Sequence, residues 1–463
     1  MFSPLNSIWK ATCPSSTLVR CETRPSQNGK FHGLQRPRKL QPATKLQDDV
    51  PSGKRRRKKS GSNGEDTKSM DEVQELKMTN GHTPPVTRNR HDGEITAEGP
   101  LLMITKPLPK VLVIHTGGTL GMDPHESYHS DQDGVHLREG TGGTYKGGLK
   151  PGDMLSNLLN IVPELSAFAN IELNVVFNKD STRVGPSDWI AIAKLLHANR
   201  QKYDAFLVVH GTDTMAYTAS ALSLLLLGFR KPIVLTGSQL PLLMPRSDAR
   251  QNLIDAITCA TAPHTYPYVN VQEVCVCFGG KLLRGNRAQK VNSNSYGAFE
   301  SSSYPNLATL GVDVDWKSRY LLRVEGVYRP RFKLDPRVIR IPIVPGSNPE
   351  LAYGDLVSRG VRGVVLETFG VGNMPDTEED GWMTWLRNQR GENPEENQGL
   401  QIYLGSQCTN GPLHPELYKS GSLALQLGVE SGPQMTPECA VVKMMMCLCY
   451  PDIPLGVPLA GEM

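Results

Sequence analysis

Two segments of this chain run from a strand-like apolar stretch straight into glycine and threonine: "VLVIHTGGTLGM" (Val111–Met122) and "VVHGTDTMAYTAS" (Val208–Ser220). Val111–Ile114 is short, continuous and β-branched, the pattern of a strand buried on both faces of a parallel sheet. Gly117 and Gly118 allow a sharp turn and a close approach to the backbone. Thr119 is thereby presented at the carboxyl end of a strand, where open α/β sheets hold their ligands. The second segment repeats the device and adds an aspartate opening a helix, so Thr212 and Asp213 are expected at the same sheet edge. An idle hydroxyl on a tight turn would explain one such motif. It explains two poorly.

Further strands are expected at Ile171–Phe177, Ala205–Val209, Pro232–Thr236 and Val274–Phe278. Helices alternate with them: one follows Pro186, with Asp188 in its first turn; another runs from Asp213 through Leu226; a third spans Asp248–Cys259. Alternation of this kind implies an α/β fold with a parallel sheet in the N-terminal domain. The proline- and charge-rich "VEGVYRPRFKLDP" (Val324–Pro336) reads as a linker. A smaller α/β C-terminal domain follows, with strands at Val338–Ile343, Gly363–Thr368 and Gln401–Gly405. The expected organisation is a basic arm over 1–105, domains over 106–323 and 337–463, and the linker over 324–336. There is no internal repeat.

A chain of 463 residues exceeds the usual size of a single core, and 38% hydrophobic with 21% charged residues is an ordinary globular composition. The net charge of +4 is too small to imply nucleic acid as a partner. No apolar run approaches a membrane span; the longest, Leu222–Leu227, reads as core. The nine cysteines include no CxxC pair and read as buried free thiols of a reducing compartment, with neither disulfides nor a metal site expected. Residues 1–46 contain a single acid, Glu22, among Ser, Pro, Lys and Arg, the profile of a transit peptide to a plastid or mitochondrion, with a cytoplasmic location as the alternative. "KRRRKK" (Lys54–Lys59) reads as a nuclear signal, a nucleic-acid patch or a solvated spacer.

Two more loops carry chemistry: "KDSTRVGPSDW", with Asp180 and Ser181 at a strand end, and "LLRGNRAQKVN", with Lys290. Together with "TGGTLGM" (Thr116–Met122), "HGTDTMAY" (His210–Tyr217), "TGSQLPL" (Thr236–Leu242), "RGNRAQK" (Arg284–Lys290) and "FGVGNMP" (Phe369–Pro375), they resemble the bacterial-type L-asparaginase family. The resemblance extends from Val111 to the C-terminal "LAGEM", and the "DST" and "FGVGN" stretches look like its cytosolic, type I branch. Amide hydrolysis through an acyl-enzyme needs a nucleophile, a base and an oxyanion site. The resemblance implies Thr119 as nucleophile, with Thr212, Lys290 and Asp213 as a hydrogen-bonded set around it. It implies that Asp213 and Ser181 hold the substrate's α-amino and α-carboxylate groups, with Asp180 auxiliary. A lysine base would need a lowered pKa, which a neighbouring aspartate opposes; the sequence leaves the base for Thr119 open. His115 and His210 read as packed strand-end histidines.

The family's mobile lid carries a tyrosine near the nucleophile. Tyr145 matches it best, with Tyr128 as competitor, in a segment longer than the usual lid. His125 and His129, spaced i, i+4, lack the helix a metal pair would use. "GTGGTYKGG" lacks the GK[ST] ending of a phosphate loop. The expected activity is hydrolysis of L-asparagine to L-aspartate and ammonia, without metal or cofactor, by a homodimer or homotetramer. The alternatives are an ammonia-releasing subunit of a tRNA-dependent amidotransferase and a non-catalytic amino-acid sensor. Type I relatives bind a second asparagine between subunits, and Asn373 and Cys408 match that pattern. Glu367 stands where those relatives carry arginine, so hyperbolic saturation is expected.

Overall fold

The computed structural model describes residues 107–118, 120, 158–391 and 399–463. The basic arm, "KRRRKK", Thr119, the lid with Tyr128 and Tyr145, and the pair His125 and His129 lie outside the described residues.

The first unit is built on an eight-stranded sheet. Its elements in chain order are β1 (Lys110–Gly117), α1 (Leu165–Phe168), β2 (Asn170–Lys179), α2 (Pro186–Asn199), β3 (Ala205–Val209), α3 (Met215–Leu225), β4 (Ile233–Thr236), α4 (Ala249–Thr261) and β5 (Val274–Phe278). The sheet order is β10-β9-β6-β5-β4-β3-β1-β2, with β1 to β5 parallel. An antiparallel extension of β6 (Lys281–Arg284), β9 (Ala308–Leu310) and β10 (Val314–Trp316) completes it. The alternation of strands and helices predicts the parallel core. It gives no sign of the extension, whose strands are only three or four residues long.

Continuous apolar runs form these strands because both faces are covered. Leu112, Ile114, Phe206, Val208, Ile233 and Leu235 pack towards α2 and α3. Their alternating neighbours Val111, Val113, Ala205, Leu207 and Val209 pack towards α4. Cys275 and Cys277 share that second face, and Cys259 of α4 meets them there. The seven described cysteines are all free thiols, five of them buried.

β7 (Gln289–Lys290) and β8 (Phe299–Glu300) form a separate two-stranded antiparallel ribbon. The segment Val324–Pro336 holds neither helix nor strand, yet it is strapped to the molecule. Arg329 N and Arg331 N donate to the carbonyls of Leu227 and Leu225 at 3.0 and 2.8 Å, and Tyr328, Phe332 and Leu334 pack on the first core.

The second unit is a three-stranded parallel sheet of β11 (Val338–Pro342), β12 (Gly363–Thr368) and β13 (Gln401–Ser406). α5 (Pro349–Tyr353), α6 (Trp382–Arg390) and α7 (Lys419–Gln426) accompany it, with Trp382 and Trp385 buried in its own cluster. The last helix, α8 (Pro437–Cys447), is capped by Thr436, whose hydroxyl accepts from Cys439 N at 3.2 Å, and begins with proline. Nine of its eleven residues are buried. It packs on α3 and against Val365 of β12 and Tyr403 of β13, which makes it the wedge joining the two sheets.

Candidate active site

The glycine turn after β1 closes by backbone contact. Gly117 and Gly118 have φ of +105° and +87°, a region where a side chain is strained. A Cβ on Gly118 would lie 2.5 Å from Gly211 N, and one on Gly117 would lie 2.2 Å from Lys179 O. Thr116 Oγ1 donates to Val209 O at 2.9 Å, and Gly118 N donates to Lys179 O at 3.2 Å. The ends of β1, β2 and β3 are thus locked together, and Thr119 follows directly in the chain.

At the end of β3, Thr212 is only 7% exposed. Lys290 reaches it from β7: its Nζ donates to Thr212 Oγ1 and to Asp213 Oδ1, both at 2.7 Å. The Lys290 side chain is largely buried and that of Asp213 is 58% exposed, so the carboxylate faces the open side. An ammonium held between a hydroxyl and a carboxylate forms a charge-assisted network able to orient a hydroxyl and stabilise negative charge developing beside it.

Ser181 is buried at the end of β2, close to Gly211, and its carbonyl accepts from Thr214 Oγ1 at 2.6 Å. This bond ties the Ser181 loop to the start of α3. Asp180 caps the short helical turn Ser181–Arg183, its Oδ1 accepting from Thr182 N at 2.8 Å and Thr182 Oγ1 at 2.7 Å. The structure therefore brings together Ser181, Thr212, Asp213 and Lys290 and gives Asp180 a local capping role beside them.

Two supporting residues were not among the expected site residues, although Gln239 lies within "TGSQLPL" and Asp248 opens the expected helix Asp248–Cys259. Gln239 lies opposite Thr212, its Oε1 3.5 Å from Thr212 Oγ1, and its Nε2 donates to Ser295 O at 3.0 Å. Asp248 holds that loop, accepting from Gln239 N at 3.0 Å and Leu240 N at 3.2 Å. The one available signal was "TGSQLPL", a glycine-containing turn at the end of β4 like those after β1 and β3.

The two strand-end histidines are packed. His210 Nδ1 lies 2.7 Å from Gly211 O, which can only accept, so Nδ1 carries the proton. Nε2 then accepts from Thr218 Oγ1 at 2.9 Å. Burial lowers the pKa of His210 to about 4, and it does the same to His115. Neutral and internally bonded, His210 fixes the turn that carries Thr212.

Away from this edge, Glu367 is buried and accepts from Arg340 Nε at 2.6 Å, a cation supplied by the neighbouring strand β11. The Asn373 amide oxygen accepts from Ser420 Oγ at 2.8 Å and Met374 N at 2.9 Å. Cys408 is exposed.

Comparison with known proteins agrees with this geometry. Residues 110–321 match the asparaginase N-terminal domain family, and residues 337–452 match the glutaminase/asparaginase C-terminal domain family. An L-asparaginase of Thermococcus kodakarensis is 34% identical over 346 residues, covering 73% of this chain and 92% of that protein. L-asparaginase 1 of Escherichia coli (strain K12) is 30% identical over 343 residues, covering 72% of this chain and 90% of that protein. The crystal structure of L-asparaginase I from Vibrio cholerae superposes with a TM-score of 0.62 at 29% identity, covering 77% of this chain and 99% of that one. The Thr212–Asp213 turn at the sheet edge, the lysine bonded to both of its residues and the two matched domains place the chain in the asparaginase family of amidohydrolases, with a type I enzyme among its structural neighbours.

Proposed function

We propose that the chain hydrolyses the side-chain amide of L-asparagine to L-aspartate and ammonia through a threonine acyl-enzyme. The observation that carries this reading is the bifurcated contact of Lys290 with Thr212 and Asp213 at 2.7 Å, beside the turn that leads into Thr119. In this reading the Thr119 hydroxyl attacks the amide carbon and ammonia leaves. Water, oriented by Thr212 and Lys290, then releases aspartate. Asp213 and Ser181 hold the α-amino and α-carboxylate groups, Asp180 assists, and Tyr145 is the family's catalytic tyrosine. The working form is a homodimer or homotetramer, and the first 46 residues address it to a plastid or mitochondrion. Domain limits of 106–323 and 337–463 are part of the same reading. The amidotransferase alternative is less supported, because both matched domains belong to asparaginase families and together span most of the described chain.

Interception with hydroxylamine tests the mechanism. An acyl-enzyme diverted by hydroxylamine yields the β-hydroxamate of aspartate, and Thr119→Ala should yield none. Asparagine turnover with aspartate as the sole product at saturating hydroxylamine would contradict a covalent intermediate.

A further inference from the structure

Lys290 stands on a two-residue strand whose ribbon contains only β8, joined by two residue pairs. That is slight anchorage for a side chain that must meet two partners at 2.7 Å. The missing restraint comes from the far end of the chain. Three residues just ahead of β7 all donate to carbonyls of the last segment, Leu459–Met463. Asn286 Nδ2 bonds Ala460 O at 2.9 Å, Arg287 Nε bonds Gly461 O at 2.8 Å, and Arg284 Nη1 bonds Gly461 O at 3.2 Å. All three donors are at least nine-tenths buried.

The tail is itself pinned. Glu462 accepts from Leu459 N at 2.9 Å and Ala460 N at 2.7 Å, curling the segment around its own carboxylate. The same carboxylate pairs with Lys443 Nζ of α8 at 2.6 Å, both side chains having no exposure at all. From α8 a second tie returns to β7: Gln289 Nε2 donates to Glu438 Oε2 at 3.1 Å. Gly461 has φ +75°, and a Cβ there would sit 2.5 Å from Arg284 Nη1. Arg284 has little freedom to yield, being bonded to Glu273 at 2.6 Å and to Tyr320 O at 2.8 Å.

We propose that the Leu459–Met463 tail, clamped to α8 by the Lys443–Glu462 pair, is a positioning element that sets Lys290 against Thr212 and Asp213. None of its residues touches the reacting atoms; it acts through the 284–290 segment. The proposal rests on the catalytic reading of Lys290 given above. Misplacement of a catalytic group by about an ångström suffices to slow a reaction roughly a hundredfold. The residues proposed to hold substrate, Ser181 and Asp213, lie outside the 284–290 segment that the tail bonds, so the larger effect is expected on turnover rather than on binding.

The test is steady-state kinetics of the full chain with asparagine, alongside thermal melts. Gly461→Ala should lower kcat at least about tenfold while KM stays within about twofold. Lys443→Met combined with Glu462→Gln removes the ion pair that clamps the tail to α8 while keeping an oxygen for the Leu459 and Ala460 amides, and should lower kcat several-fold, less than Gly461→Ala, with KM within about twofold. Should Gly461→Ala fail to fold, Asn286→Ala, which cuts one tether without strain, carries the same expectation at a smaller fold-change. A folded Gly461→Ala or Asn286→Ala with unchanged kcat, a rise in KM alone, or a folded Lys443→Met/Glu462→Gln variant with the parent kcat would overturn the proposal. Lys290→Met separates the two readings: if it retains activity the catalytic reading fails, whereas an inactive Lys290→Met beside a fully active Gly461→Ala defeats only the tail.

Discussion

His210 shows how a residue in a signature motif serves a site without entering its chemistry. It is buried, neutral and bonded at both ring nitrogens, and its role is to hold the Gly211–Thr212 turn. Its pKa falls from 6.5 to about 4 on folding, as does that of His115, chiefly through burial. Between those values the unfolded chain binds more protons than the folded one. The stability these rings contribute is therefore fully present above about pH 6.5 and drains away as pH falls towards 4, by roughly 3 kcal/mol per ring. Thermal melts should show Tm falling across that window, and His210→Gln should flatten part of the slope; equal slopes in both proteins would contradict the assignment. The identity of these residues was legible because apolar runs ending in glycine have few other uses. The roles of Gln239 and Asp248 were not legible, although "TGSQLPL" was quoted, because a glutamine opposite a threonine has no spacing of its own.

At the scale of elements, the strand pair β11 and β12 reshapes an expectation. Glu367 in place of an arginine suggests a pocket turned negative. Arg340 is offered from the adjacent strand, so the two charges cancel where the parallel register brings them together. No spacing rule reveals a partner across two strands. Asparagine saturation is expected to be hyperbolic, since the Arg340 guanidinium is engaged by Glu367 and the Asn373 amide oxygen is held by Ser420 and Met374. A sigmoidal curve that Asn373→Ala makes hyperbolic would contradict this. Arg340→Met should destabilise by about 1–3 kcal/mol, because it leaves a buried carboxylate without its donor; a melt within about 0.5 °C of the parent would argue that the carboxylate has another partner.

Among the described residues, α8 wedges the eight-stranded sheet against the three-stranded one, and Thr212 and Asp213 stand past the carboxyl end of β3 in the larger sheet, bonded to Lys290. The five parallel strands and their helices were legible because burial on both faces writes them as apolar runs. The short antiparallel strands and the tail clamp were not, because bonds spanning 174 residues leave no local pattern. No helix among the described residues is long and apolar enough to cross a membrane. A reporter fused to residues 1–105 should reach a plastid or mitochondrion; retention in the cytosol would remove the transit-peptide reading, and nuclear accumulation would assign the signal to "KRRRKK". Ammonia release from asparagine by the purified chain tests the proposed Thr119 chemistry most directly. Asparagine should give ammonia and aspartate in equal amounts, buffer alone should give none, and Thr119→Ala should fall below about a tenth of the parent rate. Ammonia release by Thr119→Ala at the parent rate, or none from asparagine with the parent chain, would contradict it.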